Sequence, residues 1–394
     1  MREAVIVSAV RTPSGKLMGA LSSFTAPQLG ALVVREAVRR AGLAPEDIDE
    51  VIMGQVVQAG TGQNPARQAA LGAGLPPSVG AMTLNKVCGS SLKAVVLATQ
   101  AIKLGDADRI IAGGQESMSN GPYLLPKART GYRLGHGKML DATVHDGLWD
   151  AYNDYHMGCT GEVVAERFAV SREDQDAWSL RSHERAAAGS DAGDFDAEIL
   201  PISVPQRKGD PIVVRRDESI RGDTSLAALG KLRPAFDPEG SVTAGNAPGV
   251  NDGASAVCVL SDVEAQARSI EPLARVVAYA TSGLEPELVM MAPVKAVEMV
   301  LGKTGWHRDE VDLFELNEAF AVQSVAVVRE LGIDAERVNV RGGAVALGHP
   351  IGASGTRILT TLLYALRDRD AARGIAAMCL GGGNAVAMAV ERLG

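Results

Sequence analysis

Apolar residues along the chain fall into short continuous runs that alternate with longer stretches of helical spacing. The runs are rich in β-branched residues, as expected of strands that are buried on both faces. The longer stretches repeat their apolar positions every three or four residues, as amphipathic helices do. Predicted strands are 4–9, 51–54, 81–84, 109–114 and 254–260, and predicted helices include 29–41, closed by Gly42, and one that begins near Ser90 or Ser91. This alternation predicts an α/β protein with a mixed or parallel sheet covered by helices.

The same order of elements returns in the second part of the chain. The corresponding segments are a strand at 275–280, a helix at 294–301, a turn at 304–312 that aligns with 40–49 after one slip, and strands at 313–316 and 374–379. Self-similarity of this kind indicates two copies of one structural unit. We therefore predict two similar α/β halves.

The region between the halves differs in character. Residues 120–249 hold four of the six histidines and many charged side chains, and the charged helix predicted at 172–188 is expected to face solvent. Long insertions outside a packed sheet usually carry binding function. We predict a first half at 1–119 and 250–272, an inserted domain at 120–249, and a second half at 273–394.

Composition narrows the class of protein. A net charge of −8 argues against a protein that coats nucleic acid. The four widely spaced cysteines form neither a disulfide framework nor a metal pattern, which favours a reducing compartment. The first ten residues hold too short an apolar run for a secretory signal, and no apolar run approaches a membrane span. We expect a cytoplasmic protein with no metal and no nucleic-acid or membrane partner.

Cys88 is the first candidate for chemistry. It lies between the strand 81–84 and the helix that begins at Ser90 or Ser91, so it faces unpaired N–H groups at the positive end of the helix dipole. Such a position favours the thiolate, which is the nucleophilic form of cysteine. The alternative is a free cysteine that packs as a small apolar side chain.

Three further polar residues are predicted to lie near Cys88. His349 stands in a glycine-rich stretch, 341–355, at the position in the second half that Cys88 occupies in the first. Cys379 ends a strand and Asn317 follows another. Open α/β sheets bind ligands at the carboxyl ends of their strands, so these residues are expected to share one site. The glycine-rich stretch lacks the spacing of a dinucleotide-binding loop.

Four stretches of this site resemble the catalytic motifs of the thiolase family. They are VCGSS at 87–91, NEAF at 317–320, GHPIG at 348–352 and CLGGG at 379–383, and loop-domain landmarks are similar at 155–158, 231–236 and 245–247. The resemblance implies a thiolase-like α/β fold with two similar halves, their sheets covered by helices, and a large inserted loop domain that covers the coenzyme A (CoA) site. It also implies reversible condensation of two acetyl-CoA molecules, or thiolysis of 3-ketoacyl-CoA, in fatty acid metabolism.

The resemblance assigns roles that these residue types can perform. Cys88 would carry the acyl group, and His349 would take its proton and later help to hold an oxyanion. Cys379 would remove or return the α-proton of the second acetyl-CoA. One oxyanion hole would use His349 and a water held by Asn317, and the other the backbone N–H groups of Cys88 and Gly381. No tightly bound cofactor is implied, since CoA thioesters are substrate and product.

Binding of CoA is assigned to the insertion and to the NEAF stretch. Residues 205–233 carry seven basic and four acidic side chains, a local excess of positive charge suited to an anionic ligand. By resemblance, Arg221 would contact the nucleotide end, and the remaining contacts would come from His156, Met157, Phe236, Ala244, Ala319 and Phe320. One position departs from the family. Pro248 stands where relatives often have a serine that contacts pantetheine, so no side-chain hydrogen bond is expected there.

Two other functions compete with this interpretation. β-Ketoacyl-carrier-protein synthases share the doubled fold and a nucleophilic cysteine, but they pair it with two histidines or with histidine and asparagine. A non-catalytic acyl-lipid binder on the same fold would not need Cys88, His349 and Cys379 together. Relatives form dimers or tetramers, and residues 122–137 resemble the loop through which tetrameric relatives join, so a homo-oligomer is expected.

Overall fold

The computed structural model describes residues 2–393. The predicted first half begins at position 1 and the predicted second half ends at position 394, and these two positions lie outside the described residues. It contains sixteen strands: β1 Ala4–Arg11, β2 Gly15–Lys16, β3 Glu50–Gly54, β4 Gly80–Leu84, β5 Arg109–Ser117, β6 Tyr123–Leu124, β7 Leu140–Asp141, β8 Trp149–Asp150, β9 Tyr155–His156, β10 Ile202–Val204, β11 Ile212–Val214, β12 Asn251–Ser261, β13 Ala274–Gly283, β14 Leu313–Leu316, β15 Arg373–Leu380 and β16 Asn384–Glu391.

The described residues also form eleven α-helices. They are α1 Ala26–Arg40, α2 Pro65–Gly72, α3 Ser90–Leu104, α4 Met157–Arg167, α5 Arg172–Ala192, α6 Leu226–Leu229, α7 Asp262–Ala267, α8 Ala292–Thr304, α9 Ala321–Leu331, α10 Ala344–Leu347 and α11 Ser354–Asp368. Short 3₁₀ turns at Pro45–Asp47 and Arg308–Glu310 precede β3 and β14, which matches the predicted alignment of 40–49 with 304–312.

The main sheet shows the doubling directly. Its strand order is β4-β3-β5-β12-β1-β13-β16-β15-β14, with β2 paired to β12. In the first half β3 is parallel to β4 and β5, and β12 is antiparallel to β5 and β1. In the second half β14 is parallel to β15, and β16 is antiparallel to β15 and β13. The prediction of two similar halves is confirmed.

The two halves meet around two helices. α3 and α11 pack against each other and contact strands of both halves, while α1 and α2 cover the outer face of the first half and α8 that of the second. Leu92, Val95, Ile358 and Leu362 are fully buried in the central cluster. Burial of this apolar surface is the main stabilising term for the arrangement.

The helix α3 corrects one expectation. Residues Val87–Leu104 reach a mean hydropathy of 1.2 over 18 residues, which by length and composition alone would allow a membrane span. The statement that no apolar run approaches a span is therefore wrong. Because 56% of this stretch is buried inside the protein, its apolar side chains are explained by packing between the two halves.

The insertion contains α4, α5, α6 and three two-stranded sheets. The expectation that the helix near 172–188 faces solvent is wrong for one side of it. Trp178, Ser182 and His183 on α5 are buried, and the helix packs against α9 and α10 of the second half. Glu173 and Glu184 are exposed, but Asp176 is buried beside Arg172, so the charge density alone misled the prediction.

Candidate active site

The turn that holds Cys88 is tight and conformationally unusual. Val87 has a φ of 47°, a left-handed conformation that is rare for a β-branched residue, so the chain reverses sharply just before Cys88. The hydroxyl of Ser90 donates to the carbonyl of Val87 at 2.6 Å and accepts from the N–H of Lys86 at 2.8 Å. A side chain at Gly89 would meet Leu380 of β15 at 2.4 Å, so glycine allows the turn to lie against the end of that strand.

The ionisation of Cys88 differs from the expectation. Burial raises the pKa of its thiol to about 12, with a smaller contribution from the nearby Glu116 carboxyl, although the N–H groups of Cys88 and Gly381 favour the thiolate. The prediction that the helix start produces a resting thiolate is therefore wrong. Loss of hydration in the half-buried turn outweighs the dipole, so the free protein holds a neutral thiol.

His349 lies in the loop between α10 and α11 and is buried. Its N–H donates to Asn251 at 2.8 Å, and its Nδ1 lies 2.6 Å from the hydroxyl of Ser354. That hydroxyl donates its single proton to the carbonyl of Pro350 at 2.8 Å. The ring must therefore donate from Nδ1, which leaves Nε2 with a free lone pair. Burial lowers the pKa of His349 to about 3, aided by the buried Arg357, so the ring is neutral.

Cys379 and Gly381 come from the end of β15 and the turn that follows it. Cys379 is 4% exposed, and both residues line the same cavity as Cys88. Burial raises the pKa of Cys379, and the neighbouring Cys88 thiolate would raise it further. The two cysteines are thus close enough to interact electrostatically, and both are neutral in the free protein.

Asn317 is not among the residues that line the cavity, although Ala319 and Phe320 shortly after it are. Its backbone N–H donates to Ala377 at 3.0 Å, which fixes it to the end of β15. The side chain is fully buried, yet neither its oxygen nor its nitrogen has a hydrogen-bond partner among residues 2–393. Buried amides are rarely left unsatisfied, so this side chain is suited to hold a water or a ligand atom.

The cavity that joins these residues has a volume of about 440 Å³. Every binding residue predicted from the sequence lines it: His156, Met157, Arg221, Phe236, Ala244, Ala319 and Phe320. The wall is mostly apolar, as pockets for organic ligands usually are. Within residues 2–393, no group of three His, Cys, Asp or Glu side chains is arranged to hold a metal ion.

Aromatic rings and a single arginine shape the wall of this cavity. His156 stacks on Phe236 with ring centroids 4.7 Å apart, and Phe320 meets Phe236 edge-on at 6.2 Å. Arg221 is exposed, and its backbone N–H donates to Nδ1 of His183 on α5 at 3.1 Å. Of the seven basic residues predicted to attract an anion, Arg221 is the one that lines the cavity.

Sequence reasoning missed several contributors. Ser354 belongs to the glycine-rich stretch around His349, and its spacing of five residues from His349 is the one local signal of the contact. Pro248, which has no side-chain hydrogen-bonding group, nevertheless lines the cavity. Met290 and Val289 also line it, and they lie far from every motif in the sequence.

Glu116 is a further buried residue with no assigned role. Its carboxylate accepts from the N–H groups of Val56, Val57 and Gly352, at 3.0, 3.1 and 2.9 Å. It thereby ties the loop after β3 to the loop that carries His349. Burial raises the pKa of Glu116 to about 7.

The chain belongs to the thiolase family. Family models described as thiolase N-terminal domain and thiolase C-terminal domain match residues 4–263 and 270–392. The resemblance predicted from the motifs is confirmed, and so is the thiolase-like fold.

Relatives of known name agree with this assignment over the full length. An acetyl-CoA acetyltransferase of Pseudomonas aeruginosa is 54% identical over 392 residues, and one of Cupriavidus necator is 53% identical, each with 100% of both chains covered. The crystal structure of the Bacillus anthracis acetyl-CoA acetyltransferase is 41% identical. It superposes with a TM-score of 0.98 and covers 100% of this chain and 99% of its own.

Proposed function

We propose that this chain is an acetyl-CoA C-acetyltransferase that condenses two acetyl-CoA molecules to acetoacetyl-CoA and CoA, and that also runs the reverse thiolysis. The observation that carries the proposal is the convergence of Cys88, His349 and Cys379 on one apolar cavity. A nucleophile, a neutral base and a second thiol are the groups that transfer of an acyl group to a carbon nucleophile requires.

Acylation begins from neutral side chains. As the sulfur of Cys88 attacks the thioester carbonyl, its proton moves to Nε2 of His349, the nitrogen left free by the bond from Nδ1 to Ser354. The oxygen of the tetrahedral intermediate is bonded to the carbon that Cys88 carries. It therefore lies beside the N–H groups of Cys88 and Gly381, whose effect on the pKa of Cys88 shows that they favour negative charge at this point.

Cys379 then connects the two half-reactions. The departing CoA sulfur takes the proton of Cys379, so CoA leaves as a thiol and Cys379 becomes a thiolate. That thiolate removes the α-proton of the second acetyl-CoA. The enolate oxygen is held by the His349 imidazolium and by a water on Asn317, and the enolate carbon attacks the acyl group on Cys88. The sulfur of Cys88 leaves with the proton from His349, and both cysteines are again neutral thiols.

Substrate binding follows from the lining of the cavity. The stacked pair His156 and Phe236 and the edge of Phe320 offer apolar surface to the pantetheine arm. Arg221 offers a cation to the anionic nucleotide end of CoA. Pro248 supplies contact without a hydrogen bond, so pantetheine recognition at this point is by shape.

The proposal is tested by following both products. Purified protein mixed with acetyl-CoA alone should release one CoA for each acetoacetyl-CoA formed, measured by mass spectrometry. CoA release without acetoacetyl-CoA would indicate a hydrolase, and no turnover would indicate a binder. Thiolysis of acetoacetyl-CoA compared with longer 3-ketoacyl-CoAs then defines the acyl range, and with it the place of the enzyme in fatty acid metabolism.

We also propose a homo-oligomer in the cytoplasm. The strand β4 is an open sheet edge with Met82 39% exposed, and such an edge suits symmetric pairing into a dimer. Residues 122–137 expose Tyr123, Leu125 and Leu134, which suits a contact between dimers. The four cysteines are free, which fits a reducing compartment. Analytical ultracentrifugation of the wild type and of Leu134→Asp would show a tetramer and a dimer if the second contact is correct.

A further inference from the structure

The carboxylate of Glu318 lies one residue after Asn317 and is almost fully buried, at 1% exposure. It accepts four hydrogen bonds. One oxygen accepts from the indole N–H of Trp178 at 2.9 Å and from the amide of Asn339 at 3.1 Å. The other accepts from the hydroxyl of Ser182 at 2.8 Å and from the N–H of Val345 at 3.0 Å.

These four donors come from three separate parts of the chain. Trp178 and Ser182 lie on α5 of the insertion, Asn339 lies in the segment after α9, and Val345 lies in α10, just before the His349 loop. The contact is close, because a side chain at Gly343 would meet the Glu318 carboxylate at 2.3 Å. Glu318 therefore joins the insertion to the backbone that leads to His349.

Asn317 and Glu318 make opposite use of their hydrogen-bonding groups. The amide of Asn317 has no hydrogen-bond partner among the described residues. Each carboxylate oxygen of Glu318, in contrast, accepts two hydrogen bonds. An unpartnered amide can hold a water at a fixed point only if its backbone is fixed by other means. Charge-assisted bonds to Glu318 supply that constraint.

We propose that Glu318 is a positioning residue that fixes the side chain of Asn317, and with it the water that Asn317 holds, at the carbonyl oxygen of the second acetyl-CoA. The inference rests on the proposed function, in which a water held by Asn317 and the ring of His349 form one oxyanion hole. None of the four hydrogen bonds to Glu318 comes from the other hole, which is formed by the N–H groups of Cys88 and Gly381. The carboxylate thus serves the condensation step and not the acylation of Cys88.

The test is Glu318→Gln, which keeps the size of the side chain but turns an amide donor toward the N–H of Val345. We expect kcat for condensation to fall about tenfold to a hundredfold, the scale for a small misplacement of catalytic groups. KM should change by less than about threefold, and acetylation of Cys88 by acetyl-CoA should reach the same extent as in the wild type. Equal losses in acetylation and condensation would overturn the proposal, because general damage to the fold affects both.

The double variant Glu318→Gln, Asn317→Ala separates the roles further. If Glu318 acts through Asn317, the double variant should be scarcely slower than Asn317→Ala alone, whereas independent roles would multiply the two losses and overturn the inference. Trp178→Phe removes one of the four bonds and keeps the folding risk low, and it should show a smaller loss of the same kind. If Asn317→Ala by itself leaves condensation unchanged, the oxyanion role in the proposed function fails instead.

Discussion

The two halves of the molecule build their catalytic turns differently on the same scaffold. In the first half, β4 is a full strand and residues 85–89 lead directly into α3. In the second half, the corresponding strand is reduced to one bridge between Phe314 and Val338, and residues 339–353 intervene before α11, with the short helix α10 among them. The short turn fixes Cys88 through backbone geometry, whereas the long loop leaves His349 to be fixed by side chains.

This difference separates the demands of the two catalytic groups. A nucleophile must stand at one point beside two N–H groups, and the strained Val87 and the contact of Gly89 with Leu380 provide that point. A proton carrier must also have one defined tautomer, which a backbone turn cannot impose. Ser354 imposes it on His349. The comparison predicts a graded series of effects.

Removing the nucleophile should have the largest effect. Cys88→Ala should lower the rates of condensation and thiolysis by about 10⁴ or more, because no other thiol lies at the thioester carbon. Steady-state rates with acetyl-CoA and with acetoacetyl-CoA plus CoA measure this. Cys258→Ala is the matched control, since that cysteine is fully buried in the sheet away from the cavity. A Cys88→Ala enzyme with near-normal rates would remove Cys88 from the mechanism.

Removing the second thiol should have the next largest effect. Cys379→Ala should lower both rates by ~10² to 10⁴, the range for loss of a general base. Exchange of the acetyl-CoA methyl hydrogens with deuterated water, followed by mass spectrometry, should fall with them. Unchanged exchange in this variant would mean that another group moves the α-proton.

Removing the buried amide of Asn317 should lower the rate less than removing either cysteine. Asn317→Ala should lower kcat by ~10² to 10³, the scale for one oxyanion-hole donor, while Cys88 remains reactive. The measurement is kcat at saturating acetyl-CoA, with alkylation of Cys88 as the control for an intact turn. An unchanged kcat contradicts the assignment.

The pH dependence of Cys88 alkylation tests whether the thiol is neutral in the free protein. Since burial raises the pKa of this thiol to about 12, the thiolate fraction of the free protein should still be rising above pH 9. Alkylation of Cys88 by iodoacetamide should therefore be about tenfold faster at pH 10 than at pH 9, whereas an ordinary thiol levels off there. Peptide mass spectrometry reports the site, and acetyl-CoA should protect it. An alkylation rate that does not change from pH 7 upward would show that Cys88 is already a thiolate in the free protein.

Loss of the tautomer constraint should have the smallest effect. Ser354→Ala should lower kcat by about threefold to tenfold, the value of one neutral hydrogen bond, with KM unchanged. Ser354→Thr keeps the hydroxyl and should retain most of the rate. If both variants lose activity equally, the effect is one of packing and not of the proton on Nδ1.

Much of the fold and part of the site could be predicted from the sequence, and the physical reason is not the same for the two. Burial on both faces leaves a local signature, so strands such as 109–114 and their repeats were recognisable. The sequence places the motif residues Cys88, His349 and Cys379 at strand ends or on the loops that follow strands, which predicts that they meet, and the structure brings them to one cavity.

Other features depend on contacts between distant segments. The buried face of α5 is set by α9 and α10, about 150 residues away along the chain, and its own sequence is polar enough to suggest exposure. The raised pKa of Cys88 depends on burial against residues that are distant in the sequence, among them Ile351, which the strand-turn-helix pattern does not reveal. Hydrogen bonds such as those of Glu318 likewise join segments with no shared local pattern.

The central claim is that Cys88 carries the acyl group and Cys379 moves the α-proton. Intact-protein mass spectrometry of the two alanine variants after mixing with acetyl-CoA tests it most directly. Cys379→Ala should gain one acetyl group, which peptide analysis places on Cys88, although it makes no acetoacetyl-CoA. Cys88→Ala should gain none. If Cys379→Ala blocks acetylation as completely as Cys88→Ala does, the division of labour between the two cysteines is wrong.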